Sequence, residues 1–347
     1  MTLDDIRSID PHGMYGLLTS FPAQVREAVQ IGNAARTGVS SRGIRNIVLS
    51  GLGGSAIGGD ILRTYLAGDL HVPFIVNRMY TLPAFVGPGS LVIISSYSGN
   101  TEETNAAHRE ALKRKAKVLC ITSGGKTAKL AGRGPVIRVP GGLPPRAALG
   151  YSFFPLLIAL ARAGFITDRG KAIRETIALL EDRAPVYAEP DAARNPALQL
   201  AGKLCGRIGI VYSAAERFDS INTRWRGQIA ENGKSLAFGH VIPEMNHNEL
   251  VGWEVLREPM REMQVFMLRD RDDHRRVRIR MDVTKLVLGE HTERITEVWS
   301  EGSSLLARMF SLVYLGDWMS FYLAVLNGVD PTPVRVIDRL KKELADA

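Results

Sequence analysis

With 347 residues, 45% apolar and 23% charged, the chain is long enough for two domains with their own cores and too apolar to be disordered. Its net charge of +8 suits either a basic solvated surface or attraction of an anionic substrate. The basic residues are dispersed, and their densest run, Arg269–Arg280, is broken by Asp270, Asp272 and Asp273, which with the lack of any recognition-helix, zinc-finger or RNA-binding pattern argues against nucleic acid.

In chain order, Met1-Thr2-Leu3-Asp4-Asp5 lacks the basic-then-apolar pattern of a leader, and the first 40 or so residues are too little patterned for a helix-turn-helix. Short β-branched runs then alternate with helical patterns. Strands are predicted at Ile44–Ser50, Val72–Asn77, Ser90–Ser96, Lys117–Ser123 and Pro135–Val139, with helices at Ile57–Leu66, Glu102–Arg114 and Thr127–Ala131 between them. Continuous apolar strands with crossover helices imply a parallel, doubly wound sheet. Tyr151–Phe165 predicts an apolar core helix, Lys171–Ala184 a crossing helix, and Asn195-Pro196 a helix start. The pattern then restarts, with strands predicted at Arg207–Ser213, Gln264–Arg269 and Glu293–Ser300, a long helix at Ser303–Leu326 and a terminal one at Ile337–Leu344. The fold class is α/β, with an N-terminal domain over 1–165 and a C-terminal domain over 166–347. No apolar stretch reads as long enough to span a membrane. Cys120 and Cys205 lie beside apolar residues and predict buried thiols. Without a disulfide framework, a reducing cytoplasm is the expected setting.

Two turns point to an anion. After the first strand, Gly51-Leu52-Gly53-Gly54-Ser55-Ala56-Ile57-Gly58-Gly59-Asp60 combines close-approach glycines with the Ser55 hydroxyl. Its spacing matches neither a dinucleotide fingerprint nor a P-loop. After Ser90–Ile94, the run Ser95-Ser96-Tyr97-Ser98-Gly99-Asn100-Thr101-Glu102-Glu103-Thr104 clusters three hydroxyls, Ser96, Ser98 and Thr101. A helix cap accounts for one hydroxyl, not three. Together the turns suit a phosphate held without metal or cofactor at the carboxyl ends of parallel strands.

In the second half, Gln228–Lys234 reads as a helix carrying Glu231, followed by the polar run Glu244-Met245-Asn246-His247-Asn248-Glu249. A lone helical Glu is ordinarily a solvated charge. A Glu base with a His acid suits proton abstraction beside a carbonyl. Glu244, His247 and Glu249 lack a familiar zinc spacing, so no metal is expected.

Five motifs in order, Gly-Gly-Ser-Ala-Ile-Gly (53–58), Ser-Tyr-Ser-Gly-Asn-Thr-Glu-Glu-Thr (96–104), Pro-Pro-Arg-Ala-Ala-Leu-Gly (144–150), Glu-Asn-Gly-Lys (231–234) and Glu-Met-Asn-His-Asn-Glu (244–249), resemble the bifunctional phosphoglucose/phosphomannose isomerase family of sugar-isomerase (SIS) domain proteins. The resemblance covers roughly residues 40 to 345. It implies two SIS domains, each with a five-stranded parallel sheet, paired as a homodimer, and conversion of glucose 6-phosphate and mannose 6-phosphate to fructose 6-phosphate. By motif, Gly54, Ser55, Ser96, Ser98 and Thr101 hold the phosphate and Arg146 faces the enediolate. Glu231 moves the proton between C1 and C2. His247 assists ring opening from the partner subunit. The terminal helix of the family carries a ring-opening lysine, here Lys341 or the adjacent Lys342. A related isomerase for another sugar phosphate, or a sugar-phosphate-binding regulator, would share the same turns.

Overall fold

The computed structural model describes residues 2–346, the Ala345 side chain excepted. Three helices open the chain: α1 (Leu3–Ile9), α2 (Met14–Thr19) and α3 (Phe21–Ala34). No element was predicted there, although Phe21, Val25, Ala28 and Gly32 of α3 recur at helical spacing. Ile6, Met14, Leu18, Phe21, Val25 and Ala28 are all buried, and α3 packs along α7 (Leu149–Arg162).

The first sheet contains β1 (Asn46–Ser50), β2 (Phe74–Asn77), β3 (Ser90–Ser95), β4 (Lys117–Thr122) and β5 (Val136–Arg138). They are parallel and ordered β2-β1-β3-β4-β5, linked by α4 (Gly53–Leu66), α5 (Glu102–Lys113) and α6 (Gly125–Ala131). All five predicted strands are present. Connections leave β1 and β3 toward opposite sides of the sheet, so their carboxyl ends flank the crevice where such sheets place ligands.

The chain crosses on α7, α8 (Gly170–Ala188) and α9 (Pro196–Leu204). Asn195 caps α9 by accepting from the Ala197 and Leu198 amides, with Pro196 following as the Asn-Pro pair predicts. The second sheet contains β6 (Ile208–Ala214), β7 (Ala237–Ile242), β8 (Met263–Arg269) and β9 (Ile295–Trp299), parallel and ordered β7-β6-β8-β9. It has four strands where the resemblance implied five. Edge strand β7 was not predicted: its residues, Ala-Phe-Gly-His-Val-Ile, are only partly buried and lack a continuous apolar run. Helix α10 (Asp219–Glu231) links β6 to β7, so the predicted segment Gln228–Lys234 is the end of a longer helix that stops at Glu231. The short α11 (Arg257–Arg261) precedes β8, and α12 (Arg275–Gly289) crosses to β9.

Helix α13 (Leu305–Leu326) runs through the middle against α8, α9 and α10. This corrects the reading that no stretch could span a membrane: α13 is long and apolar enough, but 94% of its most apolar window is buried in protein. Phe310 on α13 meets Phe153 and Phe154 of α7 with ring centroids 5.0 and 4.9 Å apart, joining the helices of the two halves. Helix α14 (Arg335–Asp346) ends the described chain. Both cysteines are free thiols. Cys120 is buried as predicted, its thiol pushed up to about 12 by burial, whereas Cys205 is only half-buried.

Candidate functional site

Sequence places two turns at the crevice of the first sheet, and the structure ties them together. Helix α4 starts at Gly53, so most of the first motif is the opening of a helix and the loop proper is Gly51-Leu52. The Ser55 hydroxyl accepts from the Tyr97 amide at 3.1 Å, which bonds the first turn to the second. A Cβ on Gly54 would lie 2.4 Å from the Pro145 carbonyl oxygen, so only glycine allows the Pro145–Ala147 3-10 turn to sit against the start of α4. Gly54 thereby sets the backbone of Arg146.

In the second turn Thr101 occupies the N-cap of α5 but makes no capping bond. Its hydroxyl accepts from Ser96 Oγ at 3.1 Å, and Ser98 Oγ accepts from the Asn100 amide at 3.3 Å. Gly99, at φ +70°, lets the turn run against the Gly124 carbonyl, where any Cβ would collide. The three hydroxyls share one tight turn at a helix N-terminus, where the leading amide groups have no intrahelical acceptor. Uncharged donors and helix-start amides are chemistry for an anion.

Arg146 is 5% exposed, and its donors are nearly all assigned. Nε donates to Asn232 Oδ1 at 2.6 Å, and Nη2 to the carbonyls of Pro331 and Thr332 at 2.7 and 2.8 Å. Nη1 faces Glu231 Oε2 at 3.5 Å. Burial pulls the guanidinium below its ordinary value; Glu231 opposes this and Arg224 adds to it. The Glu231 carboxylate is 34% exposed, so it is paired yet reachable. Arg146 and Glu231 are 85 residues apart in sequence and meet because α10 ends beside the turn that Gly54 holds.

Behind the pair lies a buried polar network that sequence reasoning missed. Arg224 and Asp317 form a two-pronged ion pair at 2.9 and 2.6 Å, and Arg224 Nη2 also donates to the Arg146 carbonyl at 3.0 Å. Gln228 Nε2 donates to Asp317 Oδ1 at 2.9 Å, and Asn232 Nδ2 to Ser320 Oγ at 3.0 Å. A signal existed: Asp317 and Ser320 are polar positions in the predominantly apolar α13, which demands buried partners.

The structure does not bring His247, Lys341 or Lys342 to Glu231. His247 lies exposed on the 3-10 turn Glu244–His247 beyond β7, and Lys341 and Lys342 are exposed on α14. Within the chain none of the three has a hydrogen-bond or ion-pair partner among the described residues. The neighbouring carboxylates are engaged: Glu244 accepts from Asn248 Nδ2 at 2.9 Å and Glu249 from the Tyr212 hydroxyl at 2.6 Å. No group of three His, Cys, Asp or Glu residues converges in a metal-binding arrangement among the described residues.

Comparison with known proteins adds the family. The SIS domain matches residues 42–131, and the bacterial phospho-glucose isomerase C-terminal SIS domain matches residues 193–344. A bifunctional phosphoglucose/phosphomannose isomerase from Caldicellulosiruptor bescii is 44% identical over 96% of this chain and 99% of its own length. The chain belongs to the bifunctional phosphoglucose/phosphomannose isomerase family. The member from Aquifex aeolicus is 38% identical over 86% of this chain and 90% of its own. A D-glucosamine-6-phosphate 4-epimerase from Sulfolobus acidocaldarius is 30% identical over 59% of this chain and 62% of its own. Among solved structures, a glucose-6-phosphate isomerase like protein from Thermus thermophilus has a TM-score of 0.63 at 19% identity, covering 98% of this chain and 97% of its own, a likeness of fold. Two parallel-sheet SIS domains with flanking helices are thus the shared architecture of this family and of this chain.

Proposed function

We propose that this chain is an aldose–ketose isomerase converting glucose 6-phosphate and mannose 6-phosphate to fructose 6-phosphate through one cis-enediolate, without a metal or other cofactor. The observation that carries the reading is the Arg146–Glu231 pair: a reachable carboxylate 3.5 Å from a buried guanidinium whose other donors are committed. Family membership supports the choice of substrates.

In the open-chain aldose the C2 proton is acidified by the C1 carbonyl. Glu231 takes it, leaving an enediolate, and returns it to C1 to give the ketose. Arg146 stays protonated at any working pH and stabilises the oxygen on which charge develops. Ser55, Ser96, Ser98, Thr101 and the Gly54 turn hold the phosphate, which fixes the reacting carbons against the carboxylate. The two epimers differ only at C2 and lose that difference in the enediolate. Residues 1–165 then supply the grip and Arg146, and residues 166–347 supply the base. The two thiols suit a cytoplasmic setting.

We assign ring opening to His247 of a second copy, with Lys341 assisting and Lys342 as its neighbouring alternative. This homodimer is supported by apolar groups exposed along β7 and the segment after it: Leu236 and Phe238 at the strand, and Val251, Val255 and Leu256 beyond His247. Helix α14 likewise exposes Val336, Ile337, Leu340 and Leu344. Mixing Glu231→Gln with His247→Ala subunits tests the sharing. If His247 acts across the interface, each hybrid dimer regains one intact site of two, and an equal mixture, about half of it hybrids, regains about a quarter of wild-type activity. If it acts within its own chain, nothing is regained.

The decisive experiment is a coupled assay of fructose 6-phosphate formation from each hexose phosphate, with and without chelator. Turnover of both, unchanged by chelator, is expected. Binding without turnover leaves a sugar-phosphate-binding regulator. The likeness to the 4-epimerase favours one further substrate for the same assay, glucosamine 6-phosphate, and its 4-epimerisation without isomerisation of either hexose phosphate would overturn the proposal.

A further inference from the structure

The motif Glu231-Asn232-Gly233-Lys234 holds one charged residue to which the isomerase reading gives no duty. Lys234 aims its ammonium at three backbone carbonyls: Glu231 at the end of α10, Pro331 at 3.2 Å and Pro333 at 2.7 Å. An ammonium has three N–H donors, so none is left over for a substrate. The backbone of Lys234 is also unusual. At φ +53° it lies in the left-handed region, which few non-glycine residues adopt and which persists where the surroundings hold it.

The same stretch of chain is gripped a second time. Arg146 Nη2 donates to the Pro331 and Thr332 carbonyls, so the Pro331 oxygen accepts from both cations. Two positive groups converge on residues 331–333, with Glu231 and Asp330 as the nearby negative ones. Burial pulls the Lys234 ammonium below its ordinary value and Arg146 adds to this, while Asp330 and Glu231 oppose. With its Nη2 and Nε fixed on this stretch and on Asn232, Arg146 has Nη1 directed at Glu231.

We propose that Lys234 is a positioning residue of the isomerase site: by clamping the 331–333 carbonyls to the end of α10 it fixes the direction of Arg146 Nη1 toward Glu231 and the reacting oxygens. The inference rests on the proposed isomerase activity. It also gives the segment leading to α14, which carries Lys341, a defined anchor close to the base.

Lys234→Met keeps the aliphatic stem and removes the ammonium. We expect kcat on both hexose phosphates to fall by about 10- to 100-fold with KM within about threefold, because the phosphate turns are untouched. Affinity for a five-carbon aldonate phosphate, whose carboxylate resembles the enediolate oxygens, should fall with kcat. Lys234→Arg keeps a cation that does not deprotonate in the accessible range, and should restore most of the lost kcat. Wild-type kcat should decline at alkaline pH as Lys234 loses its proton and one carbonyl loses its donor, and Lys234→Arg should lack that decline. The charged groups facing Lys234 are Arg146 on the 3-10 turn, Glu231 on α10 and Asp330 before α14, and all are retained in the variant.

A Lys234→Met enzyme with kcat within about twofold of wild type overturns the proposal. So does a parallel loss of kcat, substrate affinity and melting temperature that Lys234→Arg fails to rescue, which would mark a scaffold role only. If Lys234→Met does not fold, the alkaline profile decides: an identical decline in wild type and Lys234→Arg overturns the proposal, and its loss in Lys234→Arg supports it. A wild-type enzyme inactive on both hexose phosphates would instead overturn the isomerase reading, and the two failures are distinguishable.

Discussion

The two sheets share one winding but treat their carboxyl edges in opposite ways. β6 stands between β7 and β8 as β1 stands between β2 and β3. Past β1 and β3 lie glycines and hydroxyls arranged at two helix starts. Near the end of β6, Ser213 donates to the carbonyls of Ala214 and Phe218, and at the start of α10 the buried Ser220 hydroxyl is hydrogen-bonded to Thr64 Oγ1 at 2.8 Å. Past β8, Asp270 accepts from Arg308 Nε at 2.8 Å and from Ser300, and Arg308 also pairs with Asp272. The second edge is thus occupied by its own ion pairs, and an anion arriving there would meet carboxylates. What the second unit offers the first is the far end of the helix after β6, where Glu231 sits. A duplicated architecture does not imply a duplicated site, because ligand chemistry depends on which donors remain uncommitted.

The comparison can be broken most sharply at Glu231. Glu231→Gln should lower kcat on both hexose phosphates by about 10²- to 10⁴-fold with little change in KM. Unimpaired turnover of both substrates would remove the assigned base. Next in size is the network that sets the two units against each other. Arg224→Met strands the buried Asp317 carboxylate and should cost about 3–5 kcal/mol in urea denaturation, whereas replacing both partners with apolar residues should cost much less.

At the edges themselves, Thr101→Val should raise KM for hexose phosphates by roughly 10- to 100-fold, the worth of a hydrogen bond to a charged group. Ser300→Ala, at the matching edge of the second sheet, should leave KM within about twofold. An equal effect of the two would erase the distinction between the edges. The smallest effect concerns Asp273, which burial pushes up from an ordinary 3.8 to about 6 against a hydrogen bond from the Asp270 amide, with the Asp270 charge adding and Arg269 and Arg217 opposing. The folded state holds this proton more tightly than the unfolded chain. Stability from this group is therefore fully present below pH 3.8 and is lost as pH rises toward 6. Asp273→Asn should flatten the denaturation curve across that window, and an unchanged slope would show that Asp273 is not the group responsible.

Much of this was legible in the sequence. Apolar β-branched runs with crossover helices predicted every strand of the first sheet, most plainly β1, β3 and β4, since a strand buried on both faces must be largely apolar. Close-approach glycines and clustered hydroxyls marked its two turns, because those residue types have few other reasons to gather after a strand. β7 escaped because Gly239 and His240 interrupt its apolar run, whereas the edge strands β2 and β5 keep unbroken ones, and α1 to α3 were missed although Phe21, Val25, Ala28 and Gly32 of α3 recur at helical spacing.

By itself, then, the sequence determined the parallel α/β architecture, the turns at β1 and β3, and the motifs that carry the family likeness, all of which are local in the chain. Only the tertiary structure decided that Arg146 faces Glu231, that Gly54 serves the Arg146 turn by close packing, and that Asn232, Arg224, Asp317, Gln228 and Lys234 surround the pair. These contacts join residues tens to hundreds of positions apart. They depend on how α13 and α10 pack between the two sheets, and no periodicity along the chain encodes that.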